Sequence, residues 1–258
     1  MFLKHGLSSA RNTNMRIRSL WRYPVKSLQG EQVDLVYAEE RGFQGDRLFA
    51  LADQHGKLGS GKSTNRFQRI GNLLALRAEI KDGTTYIGTP GDQLEHIQSD
   101  GLDQRLSKVL DQPVEIVREQ NSPHFDDAAV HIILSSELDK LQALLPEAEI
   151  DTRRFRANIV LDVPDHMTSE DLLGSVLSIG DARLKVTHKT ERCVMVTAGQ
   201  DTLPKDPQIL KAISRSFDLN FGVYASVLRP GTVEAGQLVG ISYPAKDPAH
   251  RRDTDLGF

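Results

Sequence analysis

The chain has 258 residues, of which 39% are hydrophobic and 26% are charged, and these fractions are typical of a soluble globular protein. Its formal net charge of -3 gives no electrostatic basis for nucleic-acid binding, and no apolar run approaches the ~20 residues that cross a bilayer. The single cysteine excludes an internal disulfide framework and any zinc or iron–sulfur site built from cysteines alone. We therefore expect a cytoplasmic protein that binds neither nucleic acid nor membrane.

The first part of the chain is predicted to consist of short strands joined by tight turns. Residues 1–14 contain no acidic residue and are predicted to form a disordered extension. Alternating apolar residues then predict strands at residues 15–21, 33–38, 48–52, 73–80 and 84–88. Turn residues such as Asp82-Gly83 separate these segments, and the pattern indicates a small barrel or sandwich within residues 15–95.

The remainder, residues 96–244, is predicted to mix strands with a few helices, which makes the chain a β-rich α+β protein. The predicted strands lie at residues 114–118, 130–134, 155–163, 175–179, 182–187, 221–228 and 237–242. Apolar residues at helical spacing predict helices at residues 101–110, 136–145 and 208–217 and a helical turn at 169–173, with Ser135 capping the second helix. Residues 245–258 are polar and are predicted to form a loose tail.

The only cysteine, Cys193, lies between an alternating apolar run at residues 184–188 and a turn-rich stretch, so we expect it at a strand end or in a turn. Arg192 places a fixed positive charge beside it. A neighbouring cation favours the thiolate, which is the form that binds a metal or attacks carbon. The alternative is an inert, buried cysteine, which is the more common role for a lone thiol.

A second motif, at residues 56–63 (GKLGSGKS), matches the phosphate-binding P-loop pattern G-x-x-x-x-G-K-S/T. Asp162, which ends an apolar run, could be the carboxylate on the magnesium side of such a site. A P-loop opens a long helix, however, whereas Gly71-Asn72 interrupts the segment that follows here, and the surrounding elements are closely spaced strands. We prefer a glycine-rich hairpin tip, with nucleotide binding as a distant alternative.

Five further motifs follow one another along the chain: YPVKS at 23–27, RGFQGDR at 41–47, RFRANIV at 154–160, RC at 192–193 and FGVY at 221–224. Each is weak alone, but in this order they resemble the motifs of proteins with the molybdenum-cofactor-sulfurase C-terminal (MOSC) domain, over residues 15–244. The resemblance implies a MOSC β-barrel domain, residues 96–244, joined to a smaller β-rich N-terminal domain, residues 15–95, with a few short helices.

The resemblance also implies a molybdenum–molybdopterin cofactor, an anionic pterin that carries a phosphate. Cys193 matches the cysteine that supplies a catalytic thiolate ligand to the metal. The other matched positions, which contact or flank the cofactor, are Lys26, Ser27, Arg47, Ser135, Ser136, Arg156, Asn158, Arg192 and Tyr224. Basic side chains suit phosphate, and hydroxyl and amide groups suit a heteroaromatic ring, although a solvated surface position is the ordinary alternative for each basic residue alone. Pyridoxal phosphate binding is also associated with the family, but only with the family as a whole.

Alternation along the predicted strand 155–163 places Arg154, Arg156 and Asn158 on one face, where they would meet an anionic ligand. Within the family, the chain is similar to reductases of N-hydroxylated compounds. That similarity implies oxygen-atom transfer from an N–OH group at a cysteine-ligated molybdenum, with electrons from a separate ferredoxin- or flavin-type protein.

Three departures from the family motifs leave the activity open. Ala157 replaces a proline, residues 170–173 lack a tryptophan, and residues 194–201 lack the Asp-Pro-x-Thr-Gly turn of the reductases. The alternative is a carrier of the cofactor without turnover, or a sulfur-transfer protein that holds a persulfide on Cys193.

Overall fold

A computed structural model describes residues 11–89 and 93–244. The strands in these ranges are β1 (Arg11–Arg22), β2 (Glu31–Val33), β3 (Leu35–Glu39), β4 (Gly42–Phe43), β5 (Phe49–Ala52), β6 (Leu58–Ser60), β7 (Phe67–Arg69), β8 (Arg77–Lys81), β9 (Thr84–Gly88), β10 (Glu95–His96), β11 (Glu115–Arg118), β12 (Val130–Leu134), β13 (Ile159–Asp162), β14 (Val176–Ile179), β15 (Ala182–Glu191), β16 (Asn220–Arg229), β17 (Gly231–Glu234) and β18 (Leu238–Ser242). The α-helices are α1 (Leu102–Leu110), α2 (Ser135–Leu144), α3 (Ser169–Leu172) and α4 (Pro207–Ser216), and 3₁₀ turns occupy Leu73–Ala75, Thr152–Phe155 and Val194–Thr197.

Seven strands close into a β-barrel in the order β13-β12-β16-β15-β14-β18-β1. The N-terminal strand β1 closes the ring, because it pairs antiparallel with both β18 and β13. Alternate residues of the strands point inwards, so Ile17, Leu184 and Val186 are buried in one continuous apolar core. The first strand in the sequence is therefore part of the same barrel as the strands near its end.

The segments between β4 and β12 form a second layer with its own core. It contains a four-stranded sheet, in the order β11-β5-β6-β7, a three-stranded sheet, in the order β10-β9-β8, and helix α1. Val25 and Leu28, which directly follow β1, are fully buried in this core together with Leu51 and Leu76. The chain therefore passes from the barrel into the second layer at the residues 23–28.

Helices α2 and α4 cover the outer side of the barrel. Leu141 and Ile213 on these helices are buried against Phe155 and Phe221, whose rings stack at 4.6 Å between centroids. Asp206 begins α4, because its side chain accepts a hydrogen bond from the Gln208 N–H, and Pro207 occupies the first helical position. This third core includes Val196, so it fixes the chain directly after Cys193.

The predicted β-rich α+β class is confirmed, and several elements match closely. The strands predicted at residues 84–88 and 130–134 have the bounds of β9 and β12. Strand β1 begins at Arg11, earlier than predicted, and residues 73–75 form a 3₁₀ turn instead of the start of a strand. Helix α2 begins at Ser135 itself, and no side chain caps it. The division into domains at residue 95 stays a prediction.

Residues 1–10 and 245–258, which carry most of the predicted extension and the whole tail, lie outside the described residues. Across 11–89 and 93–244, none of the helices has the length and apolar character that a membrane crossing requires.

A candidate cofactor-binding cavity

A cavity of about 290 Å³ lies between the barrel and the second layer. Its lining comprises Lys26, Ser27, Arg47, Ser60, Lys62, Asp126, Asp127, His131, Phe155, Arg156, Glu191, Arg192, Cys193, Met195 and Tyr224. These residues come from parts of the chain that are far apart in sequence. Seven of the ten residues predicted as the site line this cavity, and Asn158, Ser135 and Ser136 do not.

Lys26 and Ser27 lie on the bend that follows β1. The bend is held against β5 by a hydrogen bond from the Lys26 N–H to the Phe49 carbonyl at 2.8 Å. Ser27 has a φ of 63°, and its hydroxyl donates to the Gly59 carbonyl at 3.0 Å. The Lys26 side chain is only 3% exposed, and its ammonium pairs with Asp126. Burial lowers the pKa of Lys26 to about 8, and Asp126 partly offsets that shift.

Arg47 is fixed in the wall by a buried ion pair with Asp46, a residue that is fully buried. Asp46 also accepts a hydrogen bond from the Tyr23 N–H at 2.7 Å. Burial is the largest single effect on Arg47 and opposes its charge, but the attraction and hydrogen bond of Asp46, together with smaller contributions from Tyr23 and Asp126, raise the pKa of Arg47 overall. Asn158, which is 1% exposed, accepts hydrogen bonds from the His131 N–H and from Arg47 and donates to the Trp21 carbonyl. It therefore connects β1, β12 and Arg47 behind the cavity.

The prediction that Arg154, Arg156 and Asn158 share one face of a strand is wrong. Residues 152–155 form a 3₁₀ turn that ends at Arg156, whose φ of 55° is left-handed, so the strand starts only at Ile159. The Arg154 guanidinium donates to the carbonyls of Glu149, Ala198 and Pro204, outside the cavity.

The left-handed turn directs Arg156 into the cavity wall. Its Nη1 donates to the Leu28 carbonyl at 2.6 Å, and its guanidinium lies 4.4 Å from the centre of the Tyr23 ring. Burial, with a smaller contribution from the neighbouring charge of Arg47, lowers the pKa of Arg156 to about 10. Burial also raises the pKa of the Tyr23 phenol to about 12, so that this ring faces the arginine as a neutral group.

Cys193 lies two residues after the end of β15 at Glu191 and directly precedes the 3₁₀ turn Val194–Thr197, which agrees with its predicted position at a strand end or in a turn. It is a free thiol, partly exposed, in the cavity lining. Arg192 beside it donates from Nη2 to the Phe155 carbonyl at 2.8 Å, and its Nη1 lies 3.3 Å from His131 Nε2. Burial lowers the pKa of this guanidinium.

The contact between Arg192 and His131 fixes the state of the imidazole. Because a guanidinium can only donate, Nε2 of His131 must be an unprotonated acceptor. Burial and, to a smaller degree, the positive charge of Arg192 hold the pKa of His131 well below its usual value, which agrees with a neutral ring. His131 therefore orients Arg192 and adds no charge to the cavity.

The serine pair and the tyrosine differ in where they lie. Ser135 accepts a hydrogen bond from the Val163 N–H at 3.0 Å, and Ser136 donates to the Met167 carbonyl, so both hydroxyls tie α2 to the loop after β13. The structure does not bring this pair to the cavity. Tyr224 on β16 does line it, and its ring lies 5.3 Å from that of His131.

Sequence reasoning missed Ser60 and Lys62, which lie in the stretch that matches the P-loop pattern. The P-loop interpretation is wrong, since residues 61–66 lead directly into β7, which pairs parallel to β6, and not into an α-helix. The stretch nevertheless reaches the cavity, with Ser60 buried and Lys62 exposed. The glycine–lysine pattern was the available sequence signal for a binding role of this stretch. Its position at the cavity could not be predicted, because the opposite wall is formed by the barrel.

The charge of the lining fits an anionic ligand with a soft metal. Five basic side chains (Lys26, Arg47, Lys62, Arg156 and Arg192) face three acidic ones (Asp126, Asp127 and Glu191). Arg156 Nη2 and Arg192 Nε are buried and have no hydrogen-bond partner among the described residues. Buried donors of this kind are normally satisfied, so both fit a ligand that supplies acceptor oxygens. The Cys193 thiol is the soft ligand in the same wall.

Comparison with known domain families agrees with this arrangement. Residues 14–138 match the MOSC N-terminal beta barrel domain, and residues 117–240 match the MOSC domain. The chain belongs to the MOSC-domain proteins. The predicted resemblance is therefore confirmed. The two matches overlap, which is consistent with a MOSC barrel whose strands come from both ends of the chain.

Individual proteins extend the comparison. The MOSC chain is 27% identical over 278 aligned positions to the human mitochondrial amidoxime-reducing component 1, covering 86% of this chain and 82% of the relative. It is 38% identical over 77 positions to the molybdenum cofactor sulfurase of Drosophila mojavensis, covering 29% of this chain and only 10% of that protein. The crystal structure of YuaD from Bacillus subtilis shares the fold, with a TM-score of 0.51 at 14% identity, covering 91% of this chain and 99% of that one.

Proposed function

We propose that this MOSC protein reduces N-hydroxylated compounds by oxygen-atom transfer, with a molybdenum cofactor bound in the cavity through Cys193. Membership of the MOSC family, together with similarity to an amidoxime-reducing component and to a molybdenum cofactor sulfurase, gives the protein a function associated with the molybdenum cofactor. The observation that carries the finer proposal is the combination in one cavity of five cations, two unsatisfied guanidinium nitrogens and one free thiol.

Each part of the lining has a separate task in this proposal. The bound cofactor supplies the two-electron oxygen-transfer chemistry, and the protein positions it. Lys26, Lys62 and Arg156 neutralise the phosphate, and Cys193 is the protein's ligand to the metal. Arg192 is held by Phe155 and His131, so its positive charge stays beside the thiol.

Two fixed groups behind the lining keep Arg47 in place. The buried Asp46 orients Arg47, and Asn158 links Arg47 to the barrel. Because these partners are themselves buried and hydrogen-bonded, Arg47 is pre-organised for an anion before it binds. Electrons would come from a separate ferredoxin- or flavin-type protein, as the similarity to the amidoxime-reducing component suggests.

The direct test is metal and pterin analysis of the purified protein, followed by an assay with a chemical reductant and a set of amidoximes and hydroxylamines. We expect one molybdenum per chain and reduction of at least one of these compounds to the amine or amidine. Protein that holds molybdenum and pterin but reduces none of them contradicts the reductase proposal.

A second candidate function is sulfur transfer or cofactor carriage without turnover. It is favoured by the similarity of a 77-residue region to a molybdenum cofactor sulfurase, and by the altered segment after Cys193. Mass spectrometry of freshly purified protein separates the two candidates. A mass increase of one sulfur on Cys193, in protein without molybdenum, favours the carrier and excludes the reductase.

The lowered pKa of Lys26 makes cofactor binding depend on pH. Its folded pKa is about 8, below the usual value, so the ammonium loses its proton as the pH rises through about 8. An anionic ligand binds the protonated form, and we expect pterin affinity to fall by roughly tenfold or more between pH 7 and 9.5. The stability of the cofactor-free protein depends on pH in the opposite direction. The unfolded chain holds the Lys26 proton more tightly than the folded chain, so the free energy of unfolding rises as the pH increases above about 8.

Equilibrium dialysis of pterin at each pH measures the effect, and Lys26→Arg is its control. The arginine stays charged throughout this range, so the fall should disappear in the variant. An equal fall in both proteins would assign the pH dependence to another group.

Lys62→Ala tests whether the P-loop-like stretch binds a nucleotide through its lysine. We expect no affinity for ATP or GTP in either protein, because residues 61–66 lead into strand β7 and open no α-helix that could hold a phosphate. Pterin affinity should fall only about two- to fivefold, since Lys62 is exposed and an exposed ion pair contributes less than about 1 kcal/mol. Lys57, the other lysine of residues 56–63, does not line the cavity. Lys57→Ala should therefore change neither the nucleotide affinity nor the pterin affinity. Nucleotide binding that is lost with Lys62 would contradict this interpretation.

A further inference from the structure

A second cavity, of about 550 Å³, adjoins the first and is called the outer groove here. One wall is the segment 69–75, which starts at the last residue of β7, and the other lies within the segment 194–205 that follows Cys193. Met195 lines both cavities. The outer groove and the candidate cofactor cavity are therefore neighbours that share one side chain.

Met195 forms the partition between the two cavities by packing on Gly61. A Cβ at Gly61 would lie 1.9 Å from the sulfur of Met195, so a residue with a side chain cannot occupy this position unless Met195 moves. A glycine is therefore required at position 61 because the Met195 side chain packs there, and no bound phosphate is needed to account for it. A methionine side chain is unbranched and flexible, and it can change rotamer to let a small group pass.

The outer groove has an apolar floor and an apolar edge beside the thiol. Ile70, Leu73, Leu74 and Leu203 lie in its lining with exposures of 3%, 4%, 7% and 2%. Val194, the residue after Cys193, also lines it and is 51% exposed. The volume is within the range of pockets that hold small organic molecules.

We propose that the outer groove binds the uncharged apolar body of the substrate, while the N–OH group reaches the cavity at Cys193 past Met195. The proposal rests on the proposed reductase function and adds the substrate class, an N-hydroxylated compound with an alkyl or aryl body. Its basis is continuity: the groove shares Met195 with the candidate site, and an exposed valine adjoins the thiol. The groove's second wall includes residues 194–201, where the sequence departs from the reductase motif, so the selectivity is a property of this chain.

The test uses two probes that differ only in the length of the alkyl chain, acetamidoxime and octanamidoxime. With a chemical reductant and the purified protein, we expect the longer probe to have a KM roughly tenfold to a hundredfold lower, since its added methylenes are partly buried in the groove. Binding is measured separately on protein labelled with methyl-¹³C methionine. Octanamidoxime should shift the Met195 resonance, assigned with Met195→Leu, and leave that of Met15, which is fully buried in the barrel, unchanged.

A matched pair of variants adds an acid inside and outside the groove. Val194→Asp places a charge on the apolar edge and should bring the KM ratio of the two probes close to one. Val109→Asp changes a valine that is 41% exposed on α1 and should leave the ratio unchanged.

The outcomes separate the groove from the reductase function. If neither probe is reduced but octanamidoxime shifts Met195, the groove is an apolar binding site and the reductase proposal fails. If both probes are reduced with equal KM and the Met195 resonance does not move, the reductase proposal holds and the groove proposal is overturned. The latter result would leave the groove for a protein partner.

Discussion

Replacing Cys193 with serine should abolish reduction of N-hydroxylated substrates while the fold stays intact. A hydroxyl is a hard ligand that stays protonated at neutral pH, so it replaces a soft thiolate poorly. Loss of a residue that merely orients a metal ligand costs about 10- to 100-fold, and loss of the ligand itself should cost at least about a hundredfold in turnover. The free energy of unfolding should change by no more than about 0.5 kcal/mol, because the side chain is partly exposed and changes by one atom.

The measurements are the turnover rate with a chemical reductant, the molybdenum and pterin content, and the thermal unfolding curve. Pterin should stay bound in the variant, since the basic residues assigned to its phosphate are Lys26, Lys62 and Arg156 and none of them changes. Wild-type turnover in Cys193→Ser would remove the cysteine from the metal site. A persulfide on the wild-type thiol, lost in the variant without any change in turnover, would favour the sulfur-transfer function.

The position of Cys193 illustrates what the sequence could predict. Alternating apolar residues before it and turn residues after it locate a strand end, and such local patterns also predict the bounds of β9 and β12. The motifs likewise identify seven of the fifteen residues that line the cavity. In each case the information lies within a few consecutive residues.

The parts that sequence reasoning missed depend on contacts between distant segments. Residues 154–158 continue the apolar alternation of β13, so nothing local marks the 3₁₀ turn or the left-handed Arg156, which is uncommon for a residue other than glycine. Lys62 and Met195 are brought together with the site only by the fold, and the reason for Gly61 is a side chain that follows Cys193. The serine pair failed to reach the cavity because its hydroxyls are hydrogen-bonded to the loop after β13.

Arg156→Ala should separate cofactor binding from stability most clearly. In the cofactor-free protein the truncation removes the hydrogen bond to the Leu28 carbonyl, which contributes about 1 kcal/mol. It also removes a charge that burial and, to a smaller degree, the neighbouring Arg47 disfavour, as the lowered pKa of Arg156 indicates. These two effects oppose each other, so the unfolding temperature of the cofactor-free form should change little.

The effect of Arg156→Ala on cofactor binding is not offset by an opposing effect. The phosphate would lose a charge-assisted hydrogen bond from a guanidinium whose Nη2 has no partner among the described residues, which should cost roughly 1.5–3 kcal/mol, or about ten- to a hundredfold in affinity. Arg154→Ala is the matched control, because it truncates a buried arginine two positions earlier whose guanidinium donates to three carbonyls outside the cavity. That variant should lose stability and keep its pterin affinity. The readouts are pterin released on denaturation under limiting cofactor and the melting curve of each cofactor-free protein. Unchanged pterin content in Arg156→Ala, or the same loss in both variants, would remove Arg156 from the cofactor site.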